Sequence, residues 1–194
     1  DVDVVPAAWL DTIEYERTND EVHRGVEVFN KQKATFSANY PFRNAAEIDA
    51  KDRRCDGGMR KVARFMKTLK ADSDDVDLSS YDITSLAWNM PDSSLSYAMP
   101  WDLRIFFGCR NFLRNIVEDS TLRESLYVPD GSRRVFAAGH ASLSGVQALL
   151  AEVDELASEV ARSVESQVTQ ELKLGVPDIP VRYPEIMGHA PLGR

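Results

Sequence analysis

Three small groups of residues in this 194-residue chain have the types and spacing that chemistry needs. The first is Asp1-x-Asp3. The alternation Asp1-Val2-Asp3-Val4-Val5-Pro6 places both carboxylates on one face of an extended segment that stops at proline. Paired strand acids of this kind can hold a divalent cation against phosphates, although a lone D-x-D also describes ordinary exposed strand acids. The second group is Arg60, Arg64 and Lys67, which recur at i, i+4 and i+7 and so line one stripe of a helix. In a chain of formal net charge −8 such a concentration of cations calls for an anion; the alternative is a solvated helix face. The third is Ser80-Tyr81 at a predicted helix start. There a hydroxyl and unpaired first-turn amides favour an anion, and the ring offers a stacking surface. The alternative is an N-cap followed by a half-buried aromatic.

Other residue types point nowhere in particular. His23, His140 and His189 are scattered, without a second His or a Cys at ligand spacing. There is no G-x-S-x-G, P-loop or Rossmann glycine pattern. Trp88, Trp101 and Phe106-Phe107 read as core. Cys55 and Cys109 lack metal-type spacing and read as reduced thiols of a cytoplasmic protein. With 28% charged and 43% hydrophobic residues the composition is that of a soluble globular protein. No apolar run approaches a membrane span, and the acidic balance argues against a long nucleic acid as partner. The chain starts at Asp1 within an apparent strand and without an initiator Met, so it reads as a piece of something longer.

Positioning these groups requires a few strands followed by helices. Beyond Asp1–Pro6, strands are expected at 13–17, 26–30 and 35–39. From Pro41 the pattern turns helical, at about 41–51 and then at 58–70. In the second of these Met59, Val62, Ala63, Met66 and Leu69 form the core stripe. After a polar break at 71–75, a helix begins at Ser79-Ser80, runs through Ile83, Leu86 and Ala87, and ends before Pro91. Another, with Leu103, Phe106, Phe107, Leu113, Ile116 and Val117, reaches about residue 119. Residues 127–132 read as a turn and 133–137 as extended. Ser144 with Gln147 forms a capping-box pattern. It opens the longest helix, striped by Val146, Leu149, Val153, Leu156, Val160 and Val164 and closed by Gly175 and Pro177. The fold class is α+β, mostly α.

In order along the chain, these pieces resemble a known family. Asp3-Val4-Val5-Pro6-Ala7 resembles the D-V-V-P-A strand of polymerase-β-like nucleotidyltransferases, in the branch containing oligoadenylate synthetases and bacterial CD-NTases. Gly25-Val26-Glu27-Val28-Phe29 and Asn39-Tyr40-Pro41 look like that family's next hairpin and its exit into the helical half. Val62-Ala63-Arg64-Phe65-Met66-Lys67 resembles its v-v-R-x-x-K helix, and Ser80-Tyr81 its S-Y helix start. The resemblance spans about Asp3 to Ala157. It implies that Asp3 is the third catalytic carboxylate and a metal ligand. It further implies that Lys67, with Arg64 beside it, contacts the donor triphosphate, that Ser80 touches phosphate and that Tyr81 stacks on the base. The implied activity is Mg²⁺- or Mn²⁺-dependent transfer of a nucleoside monophosphate from an NTP, ATP favoured, to a hydroxyl. The product could be a linear or cyclic oligonucleotide signal, in the setting of antiviral defence.

The family's G-S motif and paired D-x-D carboxylates lie upstream of this strand and are absent here. Asp1-x-Asp3 could itself be that pair, but Pro6-Ala7 and the later hairpin fit the third-carboxylate strand better. The expected layout is therefore residues 1–41 as the end of a catalytic core, 42–175 as a helical substrate-binding domain and 176–194 as a tail. The upstream catalytic half would be the partner. The competing reading is a non-catalytic helical module that binds nucleotide or, through the long helix from Ser144, another protein.

Overall fold

The computed structural model describes residues 6–30, 34–96 and 102–173. Asp1 to Val5, and with them Asp3, lie outside the described residues, as do Trp101, Gly175, Pro177 and the tail. The chain groups into two compact units, residues 1–150 and 151–194. The first contains a three-stranded antiparallel sheet followed by helices. The second contains the continuation of the last helix, α8 (Leu143–Lys173).

The sheet has the order β1-β2-β3, from Ala7–Leu10, Gly25–Asn30 and Thr35–Asn39. The strand expected at 1–6 lies outside the described residues except for Pro6, and paired strand is found just after it, at Ala7–Leu10. Proline lacks an N–H, but β1 is an edge strand, and the Pro6 carbonyl still accepts from the Phe29 N–H at 3.3 Å. The register pairs Phe29 with Phe36 and Trp9 with Val26. The two phenylalanines thus share one sheet face and Trp9 lies on the other. On the Trp9 side, the indole stacks on Phe42 at 6.0 Å between ring centroids. The Arg24 guanidinium lies over the rings of both Trp9 and Tyr15 and is bonded to Asp11 at 2.7 Å. The other face is open, with Phe36 62% exposed.

The strand expected at 13–17 is a helix, α1 (Ile13–Thr18). Thr12 caps it by accepting from the Tyr15 N–H at 3.1 Å, and Glu14 and Glu16 sit in its first turn, where the helix dipole favours negative charge. Asn19 ends it in the left-handed conformation, φ 52°.

The helical part opens with α2 (Pro41–Arg54) and α3 (Gly58–Asp72). Gly58 is required by space, because a Cβ there would lie 2.0 Å from the Leu95 carbonyl oxygen. Met59, Val62, Ala63 and Met66 of the expected stripe are buried and Leu69 is half-buried. Next come α4 (Ser80–Asn89) and the short α5 (Asp92–Leu95), then α6 (Asp102–Glu118) and α7 (Ser120–Ser125). In α6 the buried stripe is Ile105, Cys109, Phe112, Leu113 and Ile116, whereas Leu103 is exposed. Residues 126–135 form a tight reversal around the turn expected at 127–132, and the extended chain expected at 133–137 is reduced to an isolated bridge. Tyr127 and Arg134 are bridged, Gly131 turns at φ 73°, and Val128 and Val135 are buried. Ser144 does not cap α8, since it lies inside the helix. Ser142 precedes the helix and accepts from the Gly145 N–H at 3.0 Å.

Lys51 is a buried cation on α2. It donates to the Met90 carbonyl at 2.6 Å and to the Asp92 carboxylate, and so fastens α2 to the joint between α4 and α5. Arg54 shares Asp92 at 3.1 Å. Together these cations hold the Asp92 carboxyl below the usual carboxylate range. Both cysteines are free and buried, and burial pushes the Cys109 thiol up to about 12. No helix among the described residues is long and apolar enough to cross a membrane.

Candidate functional site

Of the residues singled out by the sequence, Arg60, Arg64, Lys67, Ser80 and Tyr81 lie on α3 and α4, which pack against each other. The connection between them, 73–79, buries Val76 and Leu78. Lys70, in the last turn of α3, donates from Nζ to the Leu78 carbonyl, so the end of α3 is clasped to the approach to α4. Lys67 lies about one turn before Lys70, and Ser80 is the first residue of α4. Lys67 and Ser80-Tyr81 therefore sit at the same end of the helix pair, with Arg64 one turn further along α3.

The three-cation stripe is divided by its surroundings. Arg60 is engaged by α2: its Nη1 donates to Asp52 at 3.2 Å, its Nη2 to Asp49, and its backbone N–H to Asp52 at 2.8 Å. Asp52 thus caps α3 from another helix. Arg64 is exposed and Lys67 half-buried. Among the described residues neither has an ion-pair partner.

The start of α4 is built by Ser79. Its Oγ accepts from the Asp82 N–H at 3.0 Å and donates to Asp82 Oδ2 at 2.6 Å, a reciprocal cap. The amides of Ser80 and Tyr81 have no intrahelical acceptor in such a start, and the Ser80 side chain is exposed. Tyr81 is half-buried and held from two sides. Its hydroxyl donates to Asp130 Oδ2 at 2.9 Å, and the Arg133 guanidinium lies 5.3 Å from its ring centroid. Burial, then the bond to Asp130, raises the phenol's pKa above its ordinary value, so the ring keeps its proton. Asp82, 3% exposed, accepts from Arg133 Nη2 at 3.0 Å.

Sequence reasoning missed Asp82, Asp130 and Arg133. Only the Asp130-Gly131 turn signal marked that region, and it says nothing of a contact 49 residues away in the chain. A separate cleft of about 230 Å³ lies between α3 and α6, lined by Lys61, Val62, Phe65, Ile105 and Phe106. Its lining includes neither Lys67 nor Tyr81. Phe106, expected in the core, is half-buried instead and packs edge-on against Phe65 at 5.5 Å. Trp88, also expected in the core, is half-buried and donates to the Glu47 carbonyl at 3.3 Å.

Residues 46–158 match the family model for the cGAS/DncV-like nucleotidyltransferase C-terminal helical domain. The chain is 34% identical over 173 residues to a cyclic dinucleotide synthase, CdnE, of Yersinia aleksiciae, covering 87% of this chain and 45% of that protein. The structure of a STING-associated CdnE c-di-GMP synthase from Capnocytophaga granulosa superposes with TM-score 0.69 at 26% identity, over 82% of this chain and 51% of that one. A Rhodothermus marinus CdnE c-UMP-AMP synthase, solved with Apcpp and Upnpp, shares the fold at TM-score 0.59 and 17% identity, over 70% of this chain and 46% of that one. The chain spans about half the length of the curated relatives it matches.

Proposed function

The chain belongs to the cGAS/DncV-like nucleotidyltransferases through their C-terminal helical domain, and from that premise we propose that it is the nucleotide-binding part of a cyclic-dinucleotide-forming enzyme. The reaction would transfer a nucleoside monophosphate from an NTP to a hydroxyl, here the hydroxyl of a second nucleotide, with release of pyrophosphate. The observation that carries the reading is the placement of Lys67 and Ser80-Tyr81 at one clasped end of the α3–α4 pair. Lys67, with Arg64 on the same helix, would neutralise the β- and γ-phosphates. The Ser80 hydroxyl and the first-turn amides of α4 would add donors to phosphate. Tyr81 would supply the surface on which the base stacks.

The layout follows the same reading: 1–41 as the end of the catalytic core, 42–175 as the substrate-binding body and 176–194 as a tail. Asp3 would be the third catalytic carboxylate. The described residues contribute no group of three or more His, Cys, Asp or Glu that could hold a metal. The Mg²⁺ or Mn²⁺ of such a transfer would depend on Asp3 and on acids of an upstream half. That ion, when bound, supplies charge neutralisation and activation of the attacking hydroxyl.

Steady-state assays with labelled NTPs on the full-length protein test this. Lys67→Ala is expected to raise KM for ATP by about tenfold, the loss of one charge-assisted contact, and Asp3→Ala to abolish turnover. Wild-type rates with Asp3→Ala, or an unchanged KM with Lys67→Ala, would sink the reading. A module that only binds protein would show no thermal shift with ATP and Mg²⁺.

A further inference from the structure

Tyr81 is held at two points, its hydroxyl and one face of its ring. Its hydroxyl is bonded to Asp130 Oδ2, and Asp130 is itself buried, with Oδ1 accepting from the Ser132 N–H at 2.8 Å. One face of the ring is met by Arg133. That guanidinium is fixed in turn: Nη2 donates to the buried Asp82, and Nη1 to the carbonyls of Arg134 at 3.1 Å and Val135 at 3.3 Å. The far end of α4 is tied to the same reversal, since Asn89 Nδ2 donates to the Tyr127 carbonyl at 2.7 Å. The 126–135 reversal therefore grips α4 at both ends.

We infer that Asp130 and Arg133 are positioning residues for the nucleobase, which clamp the Tyr81 ring by its hydroxyl and by one face and commit the opposite face to stacking. The inference rests on the proposed role of Tyr81 as base platform. A ring free to swing loses rotational freedom when a base lands on it, and that loss is subtracted from affinity; a ring already fixed avoids it. The raised pKa of the phenol keeps it a donor to Asp130 across the working pH range.

ATP affinity by calorimetry, together with kcat and KM, tests this on the full-length protein with Mg²⁺ and ATP as the probe. Tyr81→Ala comes first. If it binds ATP as the wild type does, the platform reading falls and the clamp with it. If it weakens binding, Tyr81→Phe and Asp130→Ala are informative. Each is expected to raise Kd and KM about three- to tenfold, the scale of one aromatic stacking contact, with kcat unchanged because ground and transition states share the contact. Asp130→Asn, which keeps an acceptor oxygen, should restore most of the loss. In the Tyr81→Ala background Asp130→Ala should add nothing. Tyr81→Phe leaves the reversal intact and serves if Asp130→Ala does not fold. Wild-type affinity in Tyr81→Phe would overturn the clamp while leaving the platform standing. An undiminished Asp130→Ala effect in the Tyr81→Ala background would overturn it also.

Discussion

The most constrained side chain of the candidate site is Asp82, which no sequence motif singled out. Its carboxylate takes part in the cap of α4 through Ser79 and anchors Arg133 at 3.0 Å while nearly excluded from solvent. Asp82→Asn should lower unfolding free energy by about 1.5–3 kcal/mol, the range for a charge-assisted hydrogen bond, read by urea denaturation. Loss of less than half of that would mean Arg133 finds another acceptor. The same residue shows how far the sequence could be read. Lys67, Ser80 and Tyr81 could be singled out as candidates because a local motif carries them. Arg60 looked equivalent to Arg64 and Lys67 by spacing, and only the fold brings Asp49 and Asp52 of α2 to it. Asp130 and Arg133 reach Tyr81 and Asp82 across about fifty residues of chain, a distance at which periodicity carries no information.

Elements were read well where they were long and amphipathic. The helices at α2, α3, α4 and α6 and the hairpin β2–β3 fell where the patterns placed them, because a buried stripe repeats often enough to set the period. In α1, residues 13–17 (Ile-Glu-Tyr-Glu-Arg) alternate over too few residues to separate a period of two from one of 3.6, and the Thr12 cap decided the outcome. Two joints carry predictions. Lys51 and Arg54 hold the Asp92 carboxyl below its ordinary value of 3.8. A lowered carboxylate stabilises the fold fully above that value and ceases to do so as pH falls through the lower folded value. Wild type should therefore lose stability over that acidic interval more steeply than Asp92→Asn, by a modest amount because Asp92 is half-exposed. Thermal melts between pH 2 and 5 would show it, and parallel profiles would refute it. At the entry to α3, Gly58→Ala must displace the Leu95 backbone and should cost about 1–3 kcal/mol, the usual penalty of overpacking. An unchanged Tm would mean the α3–α5 contact yields freely.

Across the whole molecule the apolar surface is unevenly covered. The helical body buries its stripes, whereas the sheet leaves Phe29 and Phe36 side by side on an open face, with Trp9 58% exposed on the other. Monomers seldom leave such aromatic patches uncovered, and the proposed upstream half of the enzyme would serve as cover. On that reading, hydroxyl-radical footprinting of the full-length enzyme should find Phe36 protected; strong labelling there would mean that the proposed upstream half does not sit on this face. The clasp from Lys70 to Leu78 has a wider meaning. On the proposed reading, phosphate and base contacts would be set by two adjoining helices and one short connection, while the carboxylate chemistry would belong to the strand side. Holding nucleotides and joining them would then be heritable separately, and a lineage could retune how firmly its messenger's building blocks are held by altering this body while keeping the same bond-forming machinery.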